Sequence, residues 1–228
     1  MDDIKVRIFS LGDSALTVEF GNTISTGLNK KAINLAGHFE NNPFPGFIEC
    51  VPAYCSTTIF YDLAAVRRSF AEFPTAFEAV KTLVNRSINE LHISRAETGR
   101  TVEIPIHFDP ESALDLDYIA RNGGLSPEKV IEIFTASIYR VFMLGFLPGF
   151  SYMGEVDDRI ATPRKETPRT SVPKGSVGIA GKQTGIYSLT SPGGWQIVGR
   201  TDIEMFTPEA ETPSFLRAGD LVIFVDAN

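Results

Sequence analysis

The stretch TPRKETPRTSVPKG, residues 162–175, places prolines at 163, 168 and 173, each followed by a cation: Arg164, Arg169 and Lys174. Proline fixes its own φ and pushes the preceding residue into extended geometry. Thr162, Thr167 and Val172 are those residues, so the segment reads as a stiff, extended loop. A stiff loop loses little ordering entropy when it binds. Guanidinium forks match carboxylate and phosphate oxygens. The chemistry these residues offer is therefore the holding of an anion. Downstream, QTGIY and SPGGWQIVGRT supply Gln183, Tyr187, Trp195, Gln196 and Arg200 between glycine turns. Upstream, GFLPGFSYMG supplies Phe146, Pro148, Phe150 and Tyr152 as candidate pocket or interface residues. Glycine lets backbone approach a ligand closely, and aromatics line apolar pockets.

Plainer readings compete. Composition alone favours a solvated loop on an all-β domain. Trp195, the single tryptophan, is more often core than ligand platform. Glu155, Asp157, Asp158 and Glu166 would then be surface partners of the arginines, with little net energetic effect.

Other chemistries are absent from the sequence. GFSYMG is not G-x-S-x-G, because Met153 stands where the last glycine belongs. GSVGIAG carries glycines at 175, 178 and 181, which is neither a P-loop nor a dinucleotide fingerprint. Cys50 and Cys55 form a C-x4-C pair without a second ligand cluster, a poor zinc site. They read as reduced structural thiols, and no metal site is recognised. His38, His92 and His107 are scattered and precede the C-terminal half, which predicts that no histidine dyad forms there.

The 228 residues have a net charge of −7, a balance that argues against nucleic-acid binding. No basic, apolar leader and no membrane-length apolar run is present, so the expectation is a cytoplasmic chain without membrane contact. KVRIFSL and SALTVEF alternate as strands around Gly12-Asp13. A helix follows, with Leu28, Ala32, Leu35 and Phe39 on one face and Ser25 or Thr26 as cap. FIECV and STTIFYD are the next strands. A second helix after Thr75 carries Phe77, Val80, Val84, Ile88 and Leu91. The order β-β-α-β-β-α predicts a small α+β sandwich over residues 1–95, bounded by polar SRAETGR. From 96 to 228, TVEIPIHF reads as a strand and LDLDYIARNGG as a short helix. LSPEKVIEIFTASIYRVFM reads as one helix with Val130, Phe134, Ile138 and Val141 on a face. After Met143, short apolar runs between glycines predict a β-barrel or sandwich.

Three long segments resemble one family: YRVFMLGFLPGFSYMG, ATPRKETPRTSVPKGSVGIAGKQTGIYSLTSPGGWQIVGRT and LRAGDLVIFV. LGDSALTVEFG and PGFIECVPAYCSTTIFYD match its N-terminal part. The family contains the B-type subunit of the prokaryotic ATP-dependent 5-oxoprolinase and the inhibitor of a sporulation histidine kinase. It is also labelled allophanate hydrolase subunit 1, or carboxyltransferase domain, subdomains C and D. The resemblance implies a small α+β domain followed by a cyclophilin-like mainly-β barrel. It implies a protein inactive alone, working with a second carboxyltransferase-type barrel subunit (the C-type) and with a third, LamB/YcsF-like one (the A-type). The implied reaction opens 5-oxoproline to glutamate with ATP, used by the assembled complex rather than clearly bound by this chain. Arg164, Arg169, Lys174, Gln183, Tyr187, Trp195 and Arg200 would bind substrate. The alternatives it implies are inhibition of a histidine kinase, or a place in an allophanate hydrolase or urea carboxylase system. Two departures stand out: Phe134 near a position often histidine, and IHFDPESALD where the family is often glycine-rich.

Overall fold

The structure is a computed structural model that describes residues 6–91 and 99–227. The side chain of Leu91, His92 and residues 94–98 of the polar boundary lie outside the described residues. The chain divides into two units, Met1–Thr98 and Gly99–Asn228.

The first unit is built on β1 (Arg7–Ser10), β2 (Ala15–Glu19), β3 (Phe47–Pro52) and β4 (Ser56–Tyr61). They form an antiparallel sheet in the order β1-β2-β4-β3. Helix α1 (Thr26–Asn41) begins at Ser25, whose hydroxyl accepts from the Leu28 N–H at 3.2 Å. The face predicted for it is buried, with Leu28, Ala32, Leu35 and Phe39 in one core with Leu16, Val18, Ile59 and Tyr61. Each leucine, isoleucine, valine or phenylalanine among them contributes roughly 1.5–3 kcal/mol when fully buried. Helix α3 (Ala76–Leu91) places Val80 and Val84 in the same core. Between them lies a helix the sequence pattern did not announce, α2 (Leu63–Ser69). It is only two turns long, too short for a periodic stripe, and Asp62 caps it by accepting from Ala65 N–H at 2.8 Å. The expected α+β sandwich is present with this addition. Both cysteines are free thiols, and burial pushes Cys50 up to about 12, consistent with a structural role.

The second unit contains β5 (Thr101–Ile106), α4 (Leu116–Gly123), α5 (Pro127–Thr135), β6 (Ile138–Leu144) and β7 (Ser151–Gly154). It continues with β8 (Arg169–Val172), β9 (Ser176–Ala180), β10 (Gln183–Ile186), β11 (Ser191–Gly193), β12 (Gln196–Arg200) and β13 (Leu221–Asp226). Seven strands run in the order β12-β9-β10-β7-β6-β13-β5, with β13 and β5 parallel. The two end strands meet at His107 and Arg200, which exchange backbone bonds of 2.8 and 3.1 Å and close the barrel. Gly199 permits that approach: a Cβ there would sit 2.4 Å from Ile106 Cγ2. Ile104, Ile106, Val141, Met153, Val177, Ile179, Val198 and Phe224 belong to the core inside. β8 and β11 pair separately as a two-stranded ribbon. This is the mainly-β barrel expected from the glycine-spaced runs.

One element differs from expectation. The helix predicted to run through Met143 stops at Thr135, and Ile138–Leu144 is a barrel strand. Ile138 and Val141, three apart, suit a helix face on paper. In the barrel, Tyr139 and Val141 point inward while Ile138 is 59% exposed. Local bonds end the helix. Ser137 Oγ donates to the Ile133 carbonyl at 3.0 Å, and Tyr139 Oη donates to the Phe134 carbonyl at 2.9 Å. Phe134 stacks on Phe224 and packs against Tyr139 in the core, so this departure from the family pattern is a packing residue.

Candidate functional site

Alternation along β7 and β10 sends one set of residues into the barrel core and the other outward. Tyr152 of the outward set, with Phe150 just before β7, Tyr187 just after β10 and Trp195 just before β12, builds an aromatic floor. Phe150 is its centre, with ring centroids 4.8 Å from Tyr152, 5.3 Å from Tyr187 and 5.6 Å from Trp195. Tyr152 and Trp195 meet at 5.8 Å. These contacts are edge-on, the arrangement ring quadrupoles favour. Phe146 joins at 5.5 Å from Phe150 but is 62% exposed. It sits in a γ-turn closed by Leu147 N–H donating to the Gly145 carbonyl at 2.9 Å, with φ of 68°. A bulky residue rarely adopts that conformation, which costs about 1–2 kcal/mol. Pro148 is exposed in the next turn, closed by Phe150 N–H donating to the Leu147 carbonyl at 3.0 Å. Gly193 lets Tyr187 in: a Cβ there would lie 2.3 Å from the phenol oxygen.

Arg164 stands over the Trp195 ring of this floor, its guanidinium carbon 5.7 Å from the centroid. The backbone holds it there. Lys165 N–H donates to the Gly194 carbonyl at 2.8 Å, and Gln196 Nε2 donates to the Pro163 carbonyl at 3.0 Å. Residues 163–165 thus run beside 194–196. The proline-paced segment is tied down here, and Arg169–Val172 within it takes the extended geometry expected of it, as strand β8 paired with β11. Among the described ion pairs none engages Arg164. Burial pushes the Tyr187 phenol up, opposed by the Trp195 backbone N–H and by the charges of Arg164 and Arg169.

Arg169 and Lys165 converge on Asp115. The guanidinium forks onto both carboxylate oxygens at 2.8 Å each, and Lys165 Nζ lies 3.2 Å away. Asp115 also grips β12 twice. Its N–H donates to the Ile197 carbonyl at 2.8 Å, and its carboxylate accepts from the Ile197 N–H at 2.7 Å. Burial alone would raise this carboxyl. The Arg169, Ile197 and Lys165 donors outweigh it and hold the group below the usual carboxylate range.

The family model for the carboxyltransferase domain, subdomain C and D, matches residues 6–216. The chain belongs to this family. It is 45% identical over 223 residues to the B-type subunit of 5-oxoprolinase from Bacillus subtilis (strain 168), covering 97% of this chain and 93% of that one. It is 34% identical to the corresponding 5-oxoprolinase subunit of Escherichia coli O157:H7, covering 97% and 96%. The crystal structure of TTHA0988 superposes with a TM-score of 0.79 at 36% identity, covering 98% of this chain. This chain spans only 40% of that one.

Within this carboxyltransferase-family chain, the residues singled out from the sequence separate into two places. Arg164, Tyr187, Trp195, Phe146, Phe150 and Tyr152 come together. Gln183 shares the strand face of Tyr187, two pleats away, by alternation along β10. Lys174 instead pairs with Glu204 at 2.5 Å, and Arg200 lies beside the Gly175 turn and the barrel seam. Lys182 pairs with Asp158 at 2.6 Å and Arg159 with Asp157 at 2.8 Å, so these two acids meet other surface cations rather than the loop arginines that the plainer reading gave them. His107, although it precedes the C-terminal half, folds into the barrel, with Nε2 3.0 Å from Asp202 on an exposed rim.

The residue that sequence reasoning missed is Asp115. It lies at the end of IHFDPESALD, the segment that departs from the family pattern. It is the N-cap of α4 yet makes no side-chain capping bond, because its carboxylate is turned to Arg169 and Lys165. An acid flanked by Leu114 and Leu116 was the available signal.

Proposed function

We propose that this chain is the B-type subunit of an ATP-dependent 5-oxoprolinase, inactive alone. The identity to two 5-oxoprolinase subunits of that type, over nearly both full lengths, carries the reading. The complex would transfer the terminal phosphoryl group of ATP to the lactam oxygen, releasing ADP; water would then add to the activated carbon, phosphate would leave, and the ring carbon–nitrogen bond would break as nitrogen takes up a proton, giving glutamate. We assign ATP to the assembled complex, with a second barrel subunit (the C-type) and a LamB/YcsF-like one (the A-type) as partners.

The site on this chain is the Arg164-covered aromatic floor. Arg164, Lys165 and Arg169 lie on one segment beside it, and Asp115 pairs with the last two, which leaves Arg164 outside the described ion pairs. That guanidinium suits the substrate carboxylate or a phosphorylated intermediate, while half-buried Tyr152, backed by the buried Trp195 and Tyr187, offers an apolar contact to the ring. The exposed, strained Phe146 turn is the contact to the partner barrel subunit. The test is reconstitution with both partner subunits. Arg164→Ala should raise the KM for 5-oxoproline about tenfold or more, the loss of one charge-assisted hydrogen bond. Unchanged ATP-dependent turnover in Arg164→Ala would show that the anion site lies elsewhere.

A further inference from the structure

We infer that Asp115 is a positioning residue that sets where Arg164 stands over Trp195. This rests on the Arg164 site proposed above. The connectivity is direct. Arg164 lies between Pro163 and Lys165, and Asp115 reaches Lys165 Nζ at 3.2 Å. The same carboxylate forks onto Arg169, so both ends of the 165–169 excursion are drawn to one point. That point is itself anchored: Asp115 is bonded through backbone and side chain to Ile197, two residues beyond Trp195. The loop bearing the cation and the strand bearing its ring are thereby referenced to a single carboxylate. Lys165 and Arg169 are consumed in this, with side chains 28% and 23% exposed, which leaves Arg164 to meet ligand. Asp115 does not touch the site. Its side chain is 6% exposed and acts through Lys165 and Arg169.

Trp195 is the only tryptophan of the chain, so its fluorescence reports this stack alone. In the full-length chain, Arg164→Ala defines the emission of an uncovered Trp195. Asp115→Asn is expected to shift emission to the Arg164→Ala position while circular dichroism shows the barrel folded. Lys165→Ala, which leaves the Asp115–Arg169 fork and the Ile197 anchor intact, is expected to move it part of the way. Should Asp115→Asn fail to fold, Lys165→Ala decides. Native emission in the folded Asp115→Asn chain, or in Lys165→Ala where that alone folds, overturns the inference, since lowered thermal stability without a spectral change is a purely structural role. In the reconstituted complex, Asp115→Asn should raise the KM for 5-oxoproline about tenfold, and adding it to Arg164→Ala should cost nothing more. Additive losses overturn the inference. If Arg164→Ala alone leaves turnover intact, the site assignment falls, while the fluorescence comparison still decides what Asp115 does.

Discussion

Arg164 stands over Trp195 at 5.7 Å, and the residues flanking each are bonded to one another, Pro163 to Gln196 and Lys165 to Gly194. These bonds hold the two segments side by side. Arg164→Lys keeps the charge but loses the planar fork. Steady-state kinetics of the reconstituted complex should therefore place its KM for 5-oxoproline between those of wild type and Arg164→Ala. A lysine variant indistinguishable from wild type would show that bidentate geometry is not used.

The acid limb of stability should carry the Asp115 signature. Its folded carboxyl titrates below the ordinary range. Its contribution is thus complete above the unfolded value, about 4, and is lost as pH falls through the lower folded value. Asp115→Asn should cost about 3 kcal/mol near pH 7, where two partly buried cations lose their partner. The gap to wild type should narrow as pH drops below about 4. Thermal melts across pH 2–7 check this, and a gap independent of pH would contradict it.

Gly193→Ala should destabilise the barrel. The added methyl would stand 2.3 Å from Tyr187 Oη and 2.8 Å from ring carbons Cε1 and Cζ. Overpacking of this kind costs about 1–3 kcal/mol. Tyr187→Phe removes only the oxygen clash, so it should rescue Gly193→Ala in part. Full rescue in denaturant titrations would place the strain on the hydroxyl alone.

Phe146→Gly separates folding from assembly. Glycine accepts a φ of 68° freely, which relieves about 1–2 kcal/mol, while the lost ring forfeits one edge contact with Phe150. The isolated chain should be no less stable by thermal melt, yet should bind the partner barrel subunit more weakly by calorimetry. Undiminished binding would remove the Phe146 turn from the interface.

The elements of the first unit were legible because each stripe answers to one period. Leu28, Ala32, Leu35 and Phe39 bury as written, and Ser25 caps where its hydroxyl can reach an orphan N–H. Extended geometry within the 162–175 stretch was legible too, and Arg169–Val172 is strand β8, since proline acts on its own φ and its neighbour's whatever surrounds it. The boundary at Thr135 was not. Ile138 and Val141 fit either period, and only the barrel, which buries Tyr139 and Val141 and exposes Ile138, chooses between them. The cations show the same division. Their number and spacing belong to the chain, but their assignments depend on partners far away in sequence. Arg169 meets Asp115 across 54 positions, Lys174 meets Glu204 across 30, and Arg164 is left with Trp195. Residue type determines what a side chain can bond. Barrel closure at His107 and Arg200, and the grip of Asp115 on Ile197, determine which bonds are made and which cation stays available.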